Sequence, residues 1–223
     1  RGSKPVTRAC TTTTLAPPTR RQNLPPPRTE TKSRRRFRRR RLLAHLRLAG
    51  HHFRRILAGD YSPSPHDEFG FVHGDLTGKR IGLIGCGHIG RRLIQFLRPF
   101  ETEIWVYDPY VAKEMADVVG FLKTSLDNVL SHCDVVVCVA PLTPATEGML
   151  GAREFGLLRP GAVFVNVSRG KIVDSQALIE RLKKGDIAAG IEAFDPEPFP
   201  ADSEILALEN AFLSPHFEIG RAH

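Results

Sequence analysis

Residues 79–108 read KRIGLIGCGHIGRRLIQFLRPFETEIWVYD, and the hydrophobic pattern changes twice within them. Residues 80–84 form a short, apolar, β-branched run that predicts a buried strand. Three glycines follow at once in the spacing G-x-G-x-x-G: Gly85, Gly87 and Gly90. Apolar residues then recur at helical spacing until Pro99 ends the pattern. Residues 104–107 predict a second strand, which Asp108 closes.

This strand, turn and helix are typical of a dinucleotide-binding unit. Gly85 allows the tight turn, Gly87 lets the backbone approach a pyrophosphate, and Gly90 lets the helix pack near the strand. The helix N-terminus offers N–H groups and a partial positive charge to the phosphates. Asp108 lies 18 residues after Gly90, where an acid accepts hydrogen bonds from the adenosine ribose. Because no Arg adjoins Asp108 to hold a 2′-phosphate, the sequence favours NAD over NADP.

The charge of the chain is unevenly distributed. Residues 1–60 carry 17 Lys and Arg against 2 Asp and Glu, whereas residues 61–223 carry 15 against 22. The net charge of +8 therefore belongs to the N-terminal stretch, and the folded part is not expected to bind nucleic acid. The run RRRFRRRR at residues 34–41 could be a polyanion-binding or nuclear-localisation segment. It could instead be an accidental charge run in a disordered arm, or part of a sequence that is not a native N-terminus. We favour these latter explanations, because short basic runs have low specificity.

Composition divides the chain into three regions. Residues 1–41 lack a hydrophobic period and predict a disordered, basic, low-complexity arm. Residues 42–74 predict a helix over 42–57 and then a linker broken by Pro and Gly. Residues 75–223 predict an NAD-binding Rossmann domain. The four cysteines show no C-x-x-C or metal-ligand spacing, which predicts no metal site and reduced thiols in a cytoplasmic protein. No apolar run is long enough to cross a bilayer.

Strand and helix patterns alternate after Asp108. Further strands are predicted at 118–122, 134–139, 162–167, 187–194 and 211–213, and helices at 111–117, 126–131, 152–158, 174–184 and 204–208. The near-continuous apolar runs DVVVCV and AVFVNV are expected where both faces of a sheet are covered. The sequence therefore predicts an α/β fold with a Rossmann-type, doubly wound parallel sheet.

Three polar residues each follow a predicted strand: Arg169, Glu197 and His216. Because the carboxyl ends of parallel strands share one edge, we expect all three beside the glycine turn. Reduction of a 2-oxo acid by hydride needs a cation on the substrate carboxylate and carbonyl, which Arg169 supplies. His216 suits proton delivery near neutral pH, and Glu197 would favour its imidazolium form. Taken singly, Arg169 could instead cap the preceding strand or pair with Asp174, and the other two could be surface turn residues.

Residues 75–216 closely resemble the cofactor-binding domain of the D-isomer-specific 2-hydroxyacid dehydrogenases. The resemblance rests on LTGKRIGLIGCGHIG, VYDPY, CDVVVCVAPLTPAT, RPGAVFVNVSRGKIVDSQAL and the DPEP and SPH motifs. It implies that Arg169 binds the substrate and that Glu197 and His216 form the acid–base pair. The cofactor-binding residues predicted from the turn and the resemblance are Gly85, Gly87, His88, Ile89, Gly90, Asp108, Pro141, Thr146 and Glu192.

The chain also departs from the family. Glu192 is one methylene longer than the Asp usual at its position, and Val139 stands where many members have a His. The family's substrate domain and its returning C-terminal helix have no counterpart in this sequence. The resemblance therefore predicts either a fragment or a gene whose 5′ part is out of frame or mis-spliced. In both cases we expect a chain that binds NAD but turns over poorly, and the sequence does not name the 2-hydroxy acid.

The resemblance implies an NAD-dependent oxidoreductase that interconverts a D-2-hydroxy acid and its 2-oxo acid, and it implies a homodimer. Relatives of the family include transcriptional corepressors of the same fold, so a non-catalytic NAD-binding scaffold is the alternative. The retention of all three catalytic residue types favours the enzyme. A 3-hydroxyacid dehydrogenase with a Lys catalyst is disfavoured, because Lys171 and Lys183 lie in the wrong sequence context.

Overall fold

The computed structural model describes residues 76–197 and 200–214, together with Leu57 and Gly59. Three predicted segments lie outside the described residues: the arm at 1–41, the helix at 42–57 apart from Leu57, and the linker apart from Gly59. His216 lies outside them as well, two residues beyond the last one described.

Within the described residues, strands and helices alternate as the sequence predicts. The strands are β1 Arg80–Ile84, β2 Glu103–Tyr107, β3 Leu122–Lys123, β4 Val135–Cys138, β5 Val163–Asn166, β6 Ala188–Ile191 and β7 Ala211–Leu213. The α-helices are α1 His88–Leu97, α2 Lys113–Val119, α3 Leu126–His132, α4 Ala152–Leu157 and α5 Ser175–Lys183. Short 3₁₀ helices form at Arg98–Phe100, Gly170–Ile172 and Glu204–Ala207.

The seven strands of the described residues form one sheet in the order β3-β2-β1-β4-β5-β6-β7, and every pair is parallel. The chain moves outward from β1 to β3 and then returns to β4 on the other side of β1. This reversal opens a crevice at the carboxyl ends of β1 and β4, where sheets of this kind bind ligands. The predicted doubly wound parallel sheet is confirmed.

Two apolar layers cover the two faces of the sheet. Ile81 and Leu83 of β1 belong to the layer that includes α1, whereas Ile84 belongs to the layer that includes α3, α4 and α5. Successive side chains of a strand point to opposite faces, so a strand covered on both sides is apolar throughout. In the second layer Phe155 meets Phe164 edge to face, with 5.2 Å between ring centroids. Both layers hold the strands rigid beneath the carboxyl edge.

Two strand predictions had wrong boundaries. The strand predicted at 118–122 is instead the end of α2 followed by the two-residue β3. Gly120 ends the helix with a φ of 79°, and the N–H groups of Gly120 and Phe121 both donate to Ala116 O. The strand predicted at 187–194 is shorter in the structure, where β6 ends at Ile191. The neighbouring strand β5 ends at Asn166, which is paired with Ile191.

Two features are absent from the part of the chain that the structure describes. None of its helices combines the length and the hydrophobicity that crossing a membrane requires. Its His, Cys, Asp and Glu side chains form no group of three or more that could hold a metal ion.

Candidate functional site

The glycine turn lies at the crevice between β1 and β4. Gly85 has a φ of 96°, and a Cβ there would lie 2.8 Å from Ala140 Cα, so this position requires glycine. A Cβ at Gly90 would lie only 2.7 Å from Gly85 O. Glycine at this position therefore lets α1 approach the turn closely. A Cβ at Gly87 would meet nothing within 4 Å. Gly87 therefore faces open space, as a position that admits a pyrophosphate should.

The first turn of α1 points its backbone N–H groups into the same space. Its N-cap is Gly87, and no side chain caps the helix. His88 and Ile89 are exposed, so their N–H groups remain available to an anion. Burial raises the pKa of the neighbouring Cys86 thiol, and the Asp108 carboxylate raises it further against an opposing effect of Arg91. The thiol is therefore neutral and adds no negative charge where phosphates would bind.

Asp108 closes the far side of the turn. Its Oδ2 accepts a hydrogen bond from Cys86 N at 2.7 Å, and its Oδ1 accepts one from Tyr110 N at 2.9 Å. The carboxylate is thus fixed between the end of β2 and the glycine turn. Each carboxylate oxygen has a further lone pair, so Asp108 can still accept from the hydroxyls of a ribose.

Pro141 and Thr146, both predicted as cofactor contacts, meet in the loop after β4. Thr146 Oγ1 donates to Pro141 O at 2.7 Å and accepts from Thr143 N at 2.8 Å. The threonine hydroxyl therefore closes this loop upon itself. Since β4 borders the crevice, the closed loop forms one of its walls.

Arg169 lies in the loop after β5 and is itself exposed, although its neighbours Ser168 and Gly170 are buried. One of its terminal nitrogens, NH1, donates to Ser168 O at 2.8 Å. Among the described residues it makes no ion pair with Asp174, whose Oδ1 instead accepts from Ala177 N at 3.0 Å and caps α5. The alternative in which Arg169 pairs with Asp174 is therefore wrong.

The loop that carries Arg169 lies against the loop that leads to Glu197. A Cβ at Gly170 would overlap the carbonyl oxygen of Phe194 and would lie 2.5 Å from Asp195 N. Only glycine allows the two backbones to approach this closely. Glu197 is exposed, whereas Glu192 is half-buried at the end of β6 and its N–H donates to Asn166 O at 3.0 Å. The predicted pairing of Glu197 with His216 stays a prediction.

A buried polar network joins these loops, and our sequence analysis missed it. Asn166, 1% exposed, donates from Nδ2 to Arg169 O at 3.2 Å and to Ala193 O at 3.4 Å. Its Oδ1 accepts from the N–H of Ser168 at 3.1 Å and from the hydroxyl of Ser168 at 2.9 Å. The Ser168 hydroxyl also lies 3.2 Å from Cys138 Sγ. The only sequence signal was an amide side chain at the end of an apolar run.

The residues around the crevice fit a dinucleotide. The open backbone at Gly87 suits a pyrophosphate, the uncapped α1 suits its charge, and the fixed carboxylate of Asp108 suits a ribose. These features define a dinucleotide-binding domain of the doubly wound α/β class.

The comparison with protein families is specific. The family model described as D-isomer specific 2-hydroxyacid dehydrogenase, NAD binding domain, matches residues 40–217. The chain therefore belongs to the D-isomer specific 2-hydroxyacid dehydrogenase family, and the cofactor of this domain is NAD. This match confirms both the predicted resemblance and the predicted cofactor.

Three similar proteins show how much of a relative this chain covers. It is 37% identical over 144 residues to a D-3-phosphoglycerate dehydrogenase of Methanocaldococcus jannaschii, covering 64% of this chain and 27% of the relative. It is 39% identical over 147 residues to a glyoxylate reductase of Thermococcus gammatolerans, covering 66% and 44%. The structure of D-lactate dehydrogenase with NAD⁺ from Lactobacillus jensenii superposes with a TM-score of 0.70 at 27% identity, covering 82% and 57%. The chain thus spans less than half the length of these two curated relatives.

Proposed function

We propose that this domain belongs to an oxidoreductase that interconverts a D-2-hydroxy acid and its 2-oxo acid. One observation carries the proposal: Arg169 stands on a loop that lies against the loop leading to Glu197, at the edge of the sheet that holds the glycine turn. NAD, when bound, accepts or supplies the hydride. A cation and a carboxylate beside the cofactor turn are what the chemistry of a 2-oxo acid requires.

Arg169 would hold the substrate. Among the described residues, the guanidinium makes a single hydrogen bond, from NH1, so its remaining donors are available. A planar fork of donors matches a carboxylate and can also reach the adjacent carbonyl oxygen. That oxygen gains negative charge as the carbonyl carbon is reduced, and a fixed positive charge stabilises it. The role of Arg169 is therefore substrate binding together with carbonyl polarisation.

His216 would move the proton, with Glu197 beside it. In the reduction, the carbonyl carbon forms a new C–H bond and its oxygen takes a proton from the imidazolium. In the oxidation, the neutral imidazole removes the hydroxyl proton. A neighbouring carboxylate favours the imidazolium and orients the ring. Glu197 would thus keep His216 protonated in the direction of reduction.

The remaining predicted residues would hold the cofactor. The glycine turn with His88 and Ile89 would bind the pyrophosphate, and Asp108 would bind the adenosine ribose, which favours NAD over NADP. The loop closed by Thr146 would line the crevice. Glu192, at the end of β6, would accept from the carboxamide of the nicotinamide.

The test gives the full chain NADH with glyoxylate, hydroxypyruvate or pyruvate as the substrate. The loss of NADH absorbance measures the rate. Glyoxylate and pyruvate follow from relatives named glyoxylate reductase and D-lactate dehydrogenase. Arg169→Ala should lower kcat/KM by about 100-fold or more, because the charge on the reacting oxygen loses its partner. NADH binding, measured by titration, should not change.

The matched control is Arg153→Ala. Arg153 is also exposed, but its guanidinium is already paired, with Asp127 on α3 and with Glu154. It should keep the wild-type kcat/KM. An Arg169→Ala variant with wild-type kcat/KM would refute the role of Arg169. Because the resemblance predicts poor turnover for this chain, a lack of turnover alone does not favour the non-catalytic scaffold. Salt-dependent DNA binding that is lost when residues 1–41 are deleted would favour it.

The proposal also includes an oligomeric state and a cellular location. The homodimer is expected from the family resemblance, and light scattering after size-exclusion chromatography measures it directly. A cytoplasmic location is supported by three cysteines, Cys86, Cys133 and Cys138, that are buried as free thiols. Alkylation of the thiols in freshly lysed cells, before and after reduction, would reveal any cysteine that is oxidised in the cell.

A further inference from the structure

Asn166 makes more hydrogen bonds than the end of a strand requires. Its backbone already pairs in the ladder between β5 and β6, and its side chain is almost fully buried. The side-chain amide nevertheless uses both of its polar atoms, in four contacts. A buried amide persists only where its partners are complete, because an unsatisfied one is costly.

The orientation of this amide is determined by Ser168. The backbone N–H of Ser168 can only donate, so the atom of Asn166 that faces it must be the oxygen Oδ1. The nitrogen Nδ2 consequently faces the other way, toward two carbonyl oxygens. Both of its hydrogens are then used, one on each carbonyl.

The two carbonyl oxygens belong to different loops. Arg169 O lies in the loop after β5, and Ala193 O lies in the loop after β6 that leads to Glu197. Gly170 permits these loops to meet, because any side chain there would overlap Phe194. Gly170 thus permits the contact, and the amide of Asn166 joins the two backbones. A second link comes from the hydroxyl of Ser175, which donates to Asp195 O at 3.1 Å.

We propose that Asn166 is a positioning residue that sets the separation of Arg169 from Glu197, by donating one hydrogen bond to the loop of each. The inference rests on the proposed function, which requires the guanidinium and the carboxylate to act on one substrate. Loss of the amide releases both loops together. A shift of about 1 Å in a substrate-holding group is enough to lower a rate by about 100-fold.

The chain contains a matched control in Asn210. It is also buried, and its Nδ2 also donates to two carbonyl oxygens, Leu182 O at 2.9 Å and Ile187 O at 2.8 Å. These carbonyls lie at the opposite, amino edge of the sheet, at the end of α5 and before β6. Asn166→Ser and Asn210→Ser therefore remove the same kind of hydrogen bonds from the two edges. Asn166→Asp and Asn210→Asp form a second, isosteric pair.

The experiment compares hydrogen–deuterium exchange in the full chain. Asn166→Ser should speed exchange by about tenfold in both segments 168–173 and 192–195, the effect of losing one net hydrogen bond from each. Asn210→Ser should leave both segments at the wild-type rate. With a 2-oxo acid, Asn166→Ser should lower kcat/KM by about 100-fold, with NADH affinity unchanged, and Asn210→Ser should not.

Three results would overturn the inference: wild-type exchange in either segment of Asn166→Ser, faster exchange of the same segments in Asn210→Ser, or faster exchange with an unchanged kcat/KM. If Asn166→Ser does not fold, the Asp pair decides by the same criteria. If Arg169→Ala reduces a 2-oxo acid as fast as the wild-type chain does, the proposed function fails. The exchange comparison still decides whether Asn166 joins the loops.

Discussion

Two loops at the carboxyl edge of the sheet are built in opposite ways. The turn after β1 owes its shape to missing side chains, since Gly85 and Gly90 have no room for a Cβ. The loop after β5 owes its position to a side chain, the buried amide of Asn166, which reaches the next loop as well. In the proposed function, the first loop binds the cofactor and the second binds the substrate.

The difference has a physical reason. A pyrophosphate is large and charged, and it is bound best by a row of backbone N–H groups, which a local turn supplies. A small acid must be held by a side chain and reached by a second one from another strand. Two such loops need a connection between strands, and an amide that donates twice provides it. The cofactor loop is therefore sensitive to added bulk, and the substrate loop is sensitive to lost hydrogen bonds as well.

The largest effect on stability is expected at the contact between the two substrate-side loops. Gly170→Ala places a Cβ onto Phe194 O, so one backbone must move. The free energy of unfolding should fall by about 3 kcal/mol, measured by urea denaturation. Gly156→Ala is the control, because this exposed glycine of α4 has open space around its Cβ and should gain up to about 1 kcal/mol. Equal stability of the two variants would contradict the close approach.

A smaller effect is expected in the cofactor turn. Gly85→Ala forces a left-handed conformation and pushes against Ala140, and it should cost about 2 kcal/mol. Gly87→Ala meets nothing and should change stability by less than about 0.5 kcal/mol. Its methyl group would nevertheless occupy pyrophosphate space, so NADH binding should weaken by about tenfold, or about 1.4 kcal/mol. Thermal melting and NADH titration separate the two effects. A Gly87→Ala variant that binds NADH as wild type would place the pyrophosphate elsewhere.

The glycine turn could be predicted from the sequence because its requirements are local. Gly85, Gly87 and Gly90 lie within six residues, and the strand and helix on either side have clear periods. Asp108 could also be predicted, because it directly follows β2, the strand that pairs with β1. The parallel, doubly wound sheet followed from the alternating strand and helix patterns.

The network of Asn166 could not be predicted in the same way. Its partner Ala193 is 27 residues away, and the contact depends on the register of β5 with β6. Nothing in the residue types distinguishes this amide from one that faces solvent. The close approach of Gly170 to Phe194 is equally non-local, because a single glycine after a strand usually indicates only a turn.

The smallest effect is expected at the amino edge, where a charged pair joins two elements instead of a neutral amide. Arg181, almost fully buried, donates to Phe155 O and Leu158 O at 3.0 Å and also to the carboxylate of Asp186. The hydrogen bond from Arg181 lowers the pKa of Asp186 below its ordinary value of 3.8. A lowered carboxyl pKa contributes stability above pH 3.8, and that stability is lost as the pH falls through the folded-state pKa.

Asp186→Asn should therefore cost less than about 1 kcal/mol at pH 7, because the carboxylate is partly exposed to solvent. The difference from wild type should shrink in acid, measured by urea denaturation at a series of pH values. Asn166→Ser is the contrast, since an amide does not titrate and its cost should be the same at every pH at which the chain folds. An Asn166→Ser cost that vanished in acid would mean that a titrating group, and not the amide, holds the substrate-side loops together.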